Sequence, residues 1–233
     1  MTDPATLHLQ PAAPLAERVL LPGDPHRALA VAQALLDGPK MFNHNRGLWG
    51  YSGTARDGAP LTVQATGMGG PSAAIVVEEL IDLGARTLLR IGTCGALRDG
   101  FELGELLAAE TVIGADGTSA ALGAARWLTP DGDLTAALTS SGARPVTVLT
   151  TDLFYDQRSQ APAQWLADGA DVVEMEAAAL LAIAERRGVA AAVLLGVTDL
   201  LAAGKRQRIP RDEVGPLGLA LGEAGWTALA AGG

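Results

Sequence analysis

Arg90 stands inside TLLRIGTCGA (residues 87–96), a stretch that otherwise reads as a buried strand. Charged side chains are rarely buried unless something pairs with them. No acid neighbours Arg90 in the sequence, so its expected partner is a bound anion. Arg27 closes PGDPHR (22–27), a strand end that opens a helix. Backbone N–H groups in such a turn favour an anion, and Arg27 can reach back to it. Read alone, this motif is no more than a capped helix carrying a surface arginine. Together, Arg27 and Arg90 could be satisfied by one phosphate, with the Thr93 hydroxyl as a further donor. NHNRG (43–47) offers a third arginine, Arg46, in a polar turn between helix and strand, or simply in an exposed loop.

The acids form a second group. In VEMEAAAL (173–180), Glu174 and Glu176 lie two apart in a strand-like segment and so share a face. They could accept hydrogen bonds from sugar hydroxyls; Glu176 could equally be a favourable acid in the first turn of a helix. Asp199 ends the apolar run LLGVTDLL, where partial desolvation favours the protonated form and general-acid work; it could also be a cap or turn residue. GKRQRIPR (204–211) follows, either a solvated loop or a lid that brings an arginine over the site. GMGGPS (67–72) is not a dinucleotide fingerprint, because Ser72 replaces the third glycine and no acid follows at the required distance. Its glycines allow backbone to approach a flat ligand, or make a plain strand–helix turn. His8, His26 and His44 show no metal-ligand spacing, so no metal is expected, and the Walker, H-E-x-x-H, C-x-x-C and G-x-S-x-G patterns are absent.

These residues need positioning elements. VLLPG (19–23), LTVQAT (61–66), TLLRIGT (87–93), PVTVLTT (145–151), DVVEME (171–176) and VAAAVLLGVTD (189–199) read as strands. Helices are expected from Pro25 behind an Asp24 cap, from Pro71 to Gly84, from Ala177 to Gly188, and over 214–231. The alternation implies an α/β fold, with a mixed or mostly parallel sheet covered by helices on both faces. Ligands in such sheets bind at the strands' carboxyl ends. The polar outliers fall there: Gly23/Asp24, Gly67/Met68, Thr93/Cys94, Glu174/Glu176 and Thr198/Asp199.

With 233 residues, 48% hydrophobic, and no repeat or clear linker, the chain reads as one domain over 1–233. A net charge of −9 argues against nucleic acid or an anionic membrane as partner. One cysteine, Cys94, fits a reducing compartment. MTDPATLHLQ does not read as a signal peptide, and no apolar run approaches the ~18 residues of a membrane span. A cytoplasmic location is the expectation.

Seven stretches in one order, LPGDPHRA (21–28), NHNRGLWGYSG (43–53), TGMGGPSAAIVVEEL (66–80), LRIGTCGAL (89–97), TDLFY (151–155), VEMEAAAL (173–180) and VTD (197–199), resemble the nucleoside phosphorylase family. The resemblance implies a single-domain, partly barrel-like mixed sheet flanked by helices. It implies phosphate bound by Gly23, Arg27, Arg90 and Thr93, with Arg46 supplied by a neighbouring subunit. The ribose would lie on Met68 and Met175 with Glu176 on its hydroxyls, and His8 would reach across a dimer interface to its 5′ end. Phe154 would pack near base or sugar; Cys94, Gly95, Val173, Glu174 and Thr198 complete the implied nucleoside site. Asp199 would protonate purine N7, assisted by Arg206, Arg208 or Arg211. The implied assembly is a homohexamer, a trimer of dimers with shared sites. No cofactor is implied, inorganic phosphate being a co-substrate. The expected reaction is reversible phosphorolysis of purine (deoxy)ribonucleosides; uridine or methylthioadenosine is the alternative substrate. Thr93 is closer to the uridine enzymes, where the bacterial purine enzymes usually carry serine. Only residues 156–173 separate Tyr155 from Glu174, leaving little room for a uracil-reading segment, although Gln157, Arg158 and Gln160 fall within it. A water-using hydrolase of the same fold would not need the arginines.

Overall fold

Among the described residues of a computed structural model, 6–202 and 206–231, successive strand residues point into two different apolar clusters. The first half of the chain forms β1 (Arg18–Pro22), α1 (Pro25–Leu35), β2 (Leu36–Asn43), β3 (Gly50–Ala55), β4 (Pro60–Gln64), α2 (Gly70–Asp82), β5 (Thr87–Ala96) and β6 (Leu106–Ala115). Then come α3 (Gly117–Ala121), β7 (Trp127–Leu128), α4 (Gly132–Ser140), β8 (Arg144–Thr151), α5 (Ala161–Ala167) and β9 (Val172–Glu174). The chain continues through α6 (Ala177–Arg187), β10 (Ala190–Leu200), β11 (Gln207–Arg208) and α7 (Val214–Ala231). Residues 1–5, and Gly204 and Lys205 of the basic stretch, lie outside the described residues.

In β5, Leu88, Cys94 and Ala96 join one cluster with α2 and α6, while Leu89 and Ile91 join the other with α1 and α7. In β10, Val193 and Leu195 alternate with Ala192 and Leu194 in the same way. A strand buried on both faces reads as a continuous apolar run, which is why these two were legible. Strands β10, β6, β8, β9 and β5 pair in a closed ring, β5 returning to β10. From β5 the sheet continues outward through β1, β4, β3 and β2. Strands β4, β1, β5 and β10 run parallel, and β2–β3–β4, β5–β9 and β6–β10 are antiparallel, so the sheet is mixed.

Two expectations shift. The segment 171–176 is strand only to Glu174; the chain bends at Met175 and Glu176 to enter α6. Arg46 lies in a turn between β2 and β3, not between helix and strand, because β2 follows α1 directly. Among the described residues, no helix is long and apolar enough to cross a membrane.

The glycines of α7 have a packing role. An ideal Cβ on Gly222 would meet Val31 Cγ1 of α1 at 2.7 Å, and one on Gly225 would meet Ile91 Cγ2 at 2.9 Å. The helix can therefore sit close to both α1 and the sheet. Gly222→Val should lower stability by about 1–3 kcal/mol through overpacking, against a gain in helix propensity of about 0.5 kcal/mol. A lower urea midpoint at unchanged slope is the expected result; an unchanged midpoint would show that α7 has room to move away.

Candidate active site

The parallel strands end on one side of the sheet, and there a cavity of about 560 Å³ opens. Gly23 reaches it from the turn after β1, Arg27 from the first turn of α1, and Met68 from the turn after β4. Arg90, Thr93, Cys94 and Gly95 line it from β5; Val173, Glu174, Met175 and Glu176 from the β9–α6 junction. Thr198 and Asp199 close it from β10, with Phe154 and Arg206 at its edge.

Arg90 is 4% exposed, and the structure corrects the expectation that no acid is beside it. Its Nε donates to Glu174 Oε2 at 2.9 Å, and its Nη2 pairs with Glu176 Oε2 at 2.5 Å. Sequence adjacency could not show this, because the acids come from a junction 84 residues downstream of the arginine. The third nitrogen, Nη1, is buried and has no partner among the described residues. An unmade hydrogen bond on a buried cation is costly, so Arg90 keeps an unused donor, and its side chain lines the cavity together with Arg27. Gly92 gives the group its room: a Cβ there would stand 2.6 Å from Arg90 Nη2. Among the described residues, the Arg27 guanidinium donates one hydrogen bond, a 3.5 Å contact to the Ile91 carbonyl. Burial pushes the Arg27 guanidinium below its ordinary value; Asp24 opposes this and the charge of Arg90 adds to it. An anion between the two arginines relieves both effects.

Glu176 accepts from the Gly69 N–H at 2.5 Å through Oε1, and Gly69 turns that N–H inward at φ 84°. A φ of this sign suits glycine, which explains one of the glycines in GMGGPS. Burial pushes the Glu176 carboxyl above its usual range; Arg90 pulls it back, Glu174 adds to the rise and the Gly69 N–H opposes it. Each Glu176 oxygen keeps an acceptor position for a ligand hydroxyl. Cys94 is buried, and burial holds its thiol well above the ordinary value, with Glu174 adding to this and Arg90 opposing it. It is a small apolar wall rather than a nucleophile.

Asp199 is aimed by a β-bulge. Val197 pairs with Cys94 and Asp199 with Gly95, leaving Thr198 as the extra residue. Bulges re-aim side chains in this way. Asp199 Oδ1 accepts from Arg206 Nε at 2.8 Å, and Oδ2 from the Thr198 hydroxyl at 3.0 Å. Arg206 also lies over the Phe154 ring, 5.3 Å from its centroid. Of the three candidate arginines, Arg206 is the one in contact. Arg208 Nε stands 4.0 Å from Asp199 and the side chain is largely exposed, while Arg211 is exposed off the cavity.

His8 and Arg46 do not line the cavity. His8 Nδ1 meets Glu79 Oε1 of α2 at 2.7 Å, and the backbone N–H groups of Leu7, His8 and Leu9 donate to the same carboxylate. Burial alone would raise the Glu79 carboxyl, but the Leu9 N–H and the His8 contacts outweigh it and hold it below the usual range. Arg46, at φ 58°, is exposed and makes no ion pair among the described residues.

Sequence reasoning missed the apolar wall formed by Leu153, Pro162, Trp165 and Leu201, and also Thr151 and Asp156. An apolar residue in a short helix carries no mark that separates cavity wall from core. Gln157, Arg158 and Gln160 do not line the cavity; Arg158 turns to Asp156 at 2.6 Å on the surface. Among the described residues, no group of three or more His, Cys, Asp or Glu is placed to hold a metal ion.

Residues 17–216 match the model of the phosphorylase superfamily. The chain is similar to the DeoD-type purine nucleoside phosphorylase of Clostridium perfringens (strain ATCC 13124), 37% identical over 200 residues that cover 80% of this chain and 83% of the relative. It is similar to the DeoD-type enzyme of Caldanaerobacter subterraneus subsp. tengcongensis, 37% identical over 82% of this chain and 86% of the relative. The DeoD-type enzyme of Jannaschia sp. (strain CCS1) is 36% identical over 89% of this chain and 92% of its own length.

Proposed function

The chain belongs to the phosphorylase superfamily, and on that premise we propose that it is a purine nucleoside phosphorylase. It cleaves purine (deoxy)ribonucleosides reversibly with inorganic phosphate, giving the free base and (deoxy)ribose 1-phosphate. One observation carries this reading: a single cavity is lined by Arg27, by Arg90 and, five residues beyond Arg90 along β5 at Gly95, by Asp199. Five strand residues span about 16 Å at about 3.3 Å each, room for phosphate, sugar and base in a row.

Phosphate sits on Arg27, Arg90, the Thr93 hydroxyl and the Gly23 N–H. It attacks the anomeric carbon while the C–N bond breaks and its electron pair leaves with the base. Positive charge develops on the sugar, between the phosphate and Glu176, which holds the ribose hydroxyls over Met68 and Met175. Asp199 delivers a proton to purine N7, and Arg206 stabilises the carboxylate that remains. The apolar wall with Phe154, Trp165 and Leu201 suits a flat base. An acid at the base end, and Gln157, Arg158 and Gln160 off the cavity, favour purine over uracil. The arginines favour phosphate over water as nucleophile. No cofactor enters the scheme. The positions of His8 and Arg46, outside the cavity of their own chain, are consistent with contribution to a neighbour's site in a homohexamer. The single, buried Cys94 supports a cytoplasmic enzyme.

The test incubates inosine, adenosine and uridine with the protein, with and without phosphate, and measures base and ribose 1-phosphate by chromatography. Phosphate-dependent release of hypoxanthine or adenine is expected. Uracil release would move the specificity to uridine, and release without phosphate would make the protein a hydrolase.

A further inference from the structure

Glu174 faces the cavity, yet its carboxylate is already occupied. Oε1 accepts from the Thr150 hydroxyl at 2.6 Å and from the Ala177 N–H at 3.0 Å. Oε2 accepts from Arg90 Nε at 2.9 Å, from the Glu176 N–H at 2.9 Å, and shares the Ala177 N–H at 3.0 Å. A carboxylate offers roughly four acceptor positions, and four protein donors fill them. No position is left for a ribose hydroxyl, so the implied role of Glu174 as a nucleoside ligand does not fit its surroundings.

We propose that Thr150 and Glu174 form a positioning pair that fixes the phosphate arginine and the sugar carboxylate as one unit. Thr150 is fully buried on β8 and does not line the cavity. Its only proton goes to Glu174, because the ionised carboxylate has none to give, and its oxygen accepts the Ala178 N–H at 3.0 Å. The hydroxyl therefore ties Glu174 to the first turn of α6. Glu174 in turn holds Arg90 at Nε and the backbone of Glu176. The guanidinium is planar, so fixing Nε and Nη2 on two carboxylates also fixes the direction of Nη1. Without the Thr150 tether, Glu174 can swing, and Arg90 and Glu176 lose their common register. A misplacement of about 1 Å is enough to weaken a charge-assisted hydrogen bond to an anion.

The inference rests on the phosphorolysis reading for its kinetic readout, so wild-type turnover with phosphate is measured first, and phosphate affinity is measured separately by calorimetry. Thr150→Val keeps the volume and β-branching but removes the hydroxyl. It should raise the KM for phosphate, and the calorimetric Kd, by about tenfold, the size expected for one lost hydrogen bond to a charged group. The kcat at saturating phosphate should fall less than about threefold. Thr150→Ser, which restores the hydroxyl, should return phosphate affinity to within about twofold of the wild type. A structural role alone would lower the folded fraction and hence the apparent kcat, leaving KM and Kd for phosphate where they were; that result overturns the proposal. Glu174→Gln, matched in size, tests the other half: the same loss of phosphate affinity is expected, and an unchanged affinity overturns the proposal even where Thr150→Val does not fold. Loss of wild-type turnover with phosphate binding intact would overturn the proposed function and leave the calorimetric comparison standing.

Discussion

Arg90→Ala should lower kcat/KM for phosphate by about a thousandfold. Two effects add. The variant loses the buried cation whose Nη1 has no partner among the described residues, and it leaves Glu174 and Glu176 without the cation that joins them. Truncating one partner of a buried, hydrogen-bonded charge pair costs about 2–5 kcal/mol of binding, and each 1.4 kcal/mol is about a factor of ten. The two stranded carboxylates also repel the incoming anion. Stability and binding can be separated by pH. Burial already holds the Glu176 carboxyl above its usual range while Arg90 pulls it down; without the arginine it rises further. A buried carboxyl raised in this way costs stability as the pH climbs past its unfolded-state value, and costs nothing below it. The variant should therefore be most destabilised at neutral pH and recover as the pH falls toward the ordinary carboxylate range. Phosphate dependence is then measured on protein shown to be folded. A phosphate KM equal to the wild type's would remove Arg90 from the anion site.

The strands that run parallel in the middle of the sheet were legible because their residues feed two clusters and leave no polar face. VLLPG, TLLRIGT and VAAAVLLGVTD all have this character. The edge of the sheet was not legible. In β2, LDGPKMFN, most side chains are exposed, and its Gly38, Pro39 and Lys40 imitate a loop. The strand exists because it pairs with β3, a partner that no local pattern reveals. In β6, LLAAETVIGA, Glu110 interrupts the apolar run at a register irregularity opposite β8. Closure of the ring depends on β5 finding β10 and β9 at once, a long-range fact that followed from family resemblance and not from periodicity.

The site divides in the same way. Residues at the ends of apolar strands, such as Gly23, Thr93, Thr198 and Asp199, could be picked out because a polar group interrupts a buried pattern at the end where ligands bind. The charge partnership of Arg90 could not, because it joins β5 to the β9–α6 junction. The logic that a buried arginine needs a partner was sound. Its error was to assume one partner: two of the three nitrogens meet the protein, and one is left over. The choice of Arg206 over Arg208 and Arg211 depended on the hairpin that pairs Asp199 with Arg208 across β10 and β11, which places the backbone of Arg208 opposite while its side chain turns to solvent.

Asp199→Asn should lower kcat for inosine by about a thousandfold, within the range of roughly 10²–10⁴ that general acid catalysis supplies. The substitution keeps the shape of the side chain and an acceptor for the Thr198 hydroxyl, but it has no proton to give. The leaving base carries the electron pair of the broken C–N bond, and an unprotonated purine anion is a poor leaving group. A purine nucleoside already methylated at N7 needs no such proton, since its base departs neutral. With that substrate the same variant should lose less than about tenfold. The contrast isolates the chemical role from any loss of binding, because both substrates use the same phosphate, ribose and base-wall contacts. Equal losses with the two substrates would show that Asp199 holds the base or Arg206 in place without donating a proton. Arg206 gives a second check. If it stabilises the carboxylate formed when the proton leaves, Arg206→Gln should also hurt inosine more than the methylated substrate, though less than Asp199→Asn does. A neighbour of the acid can ease proton release, but only the acid can supply the proton.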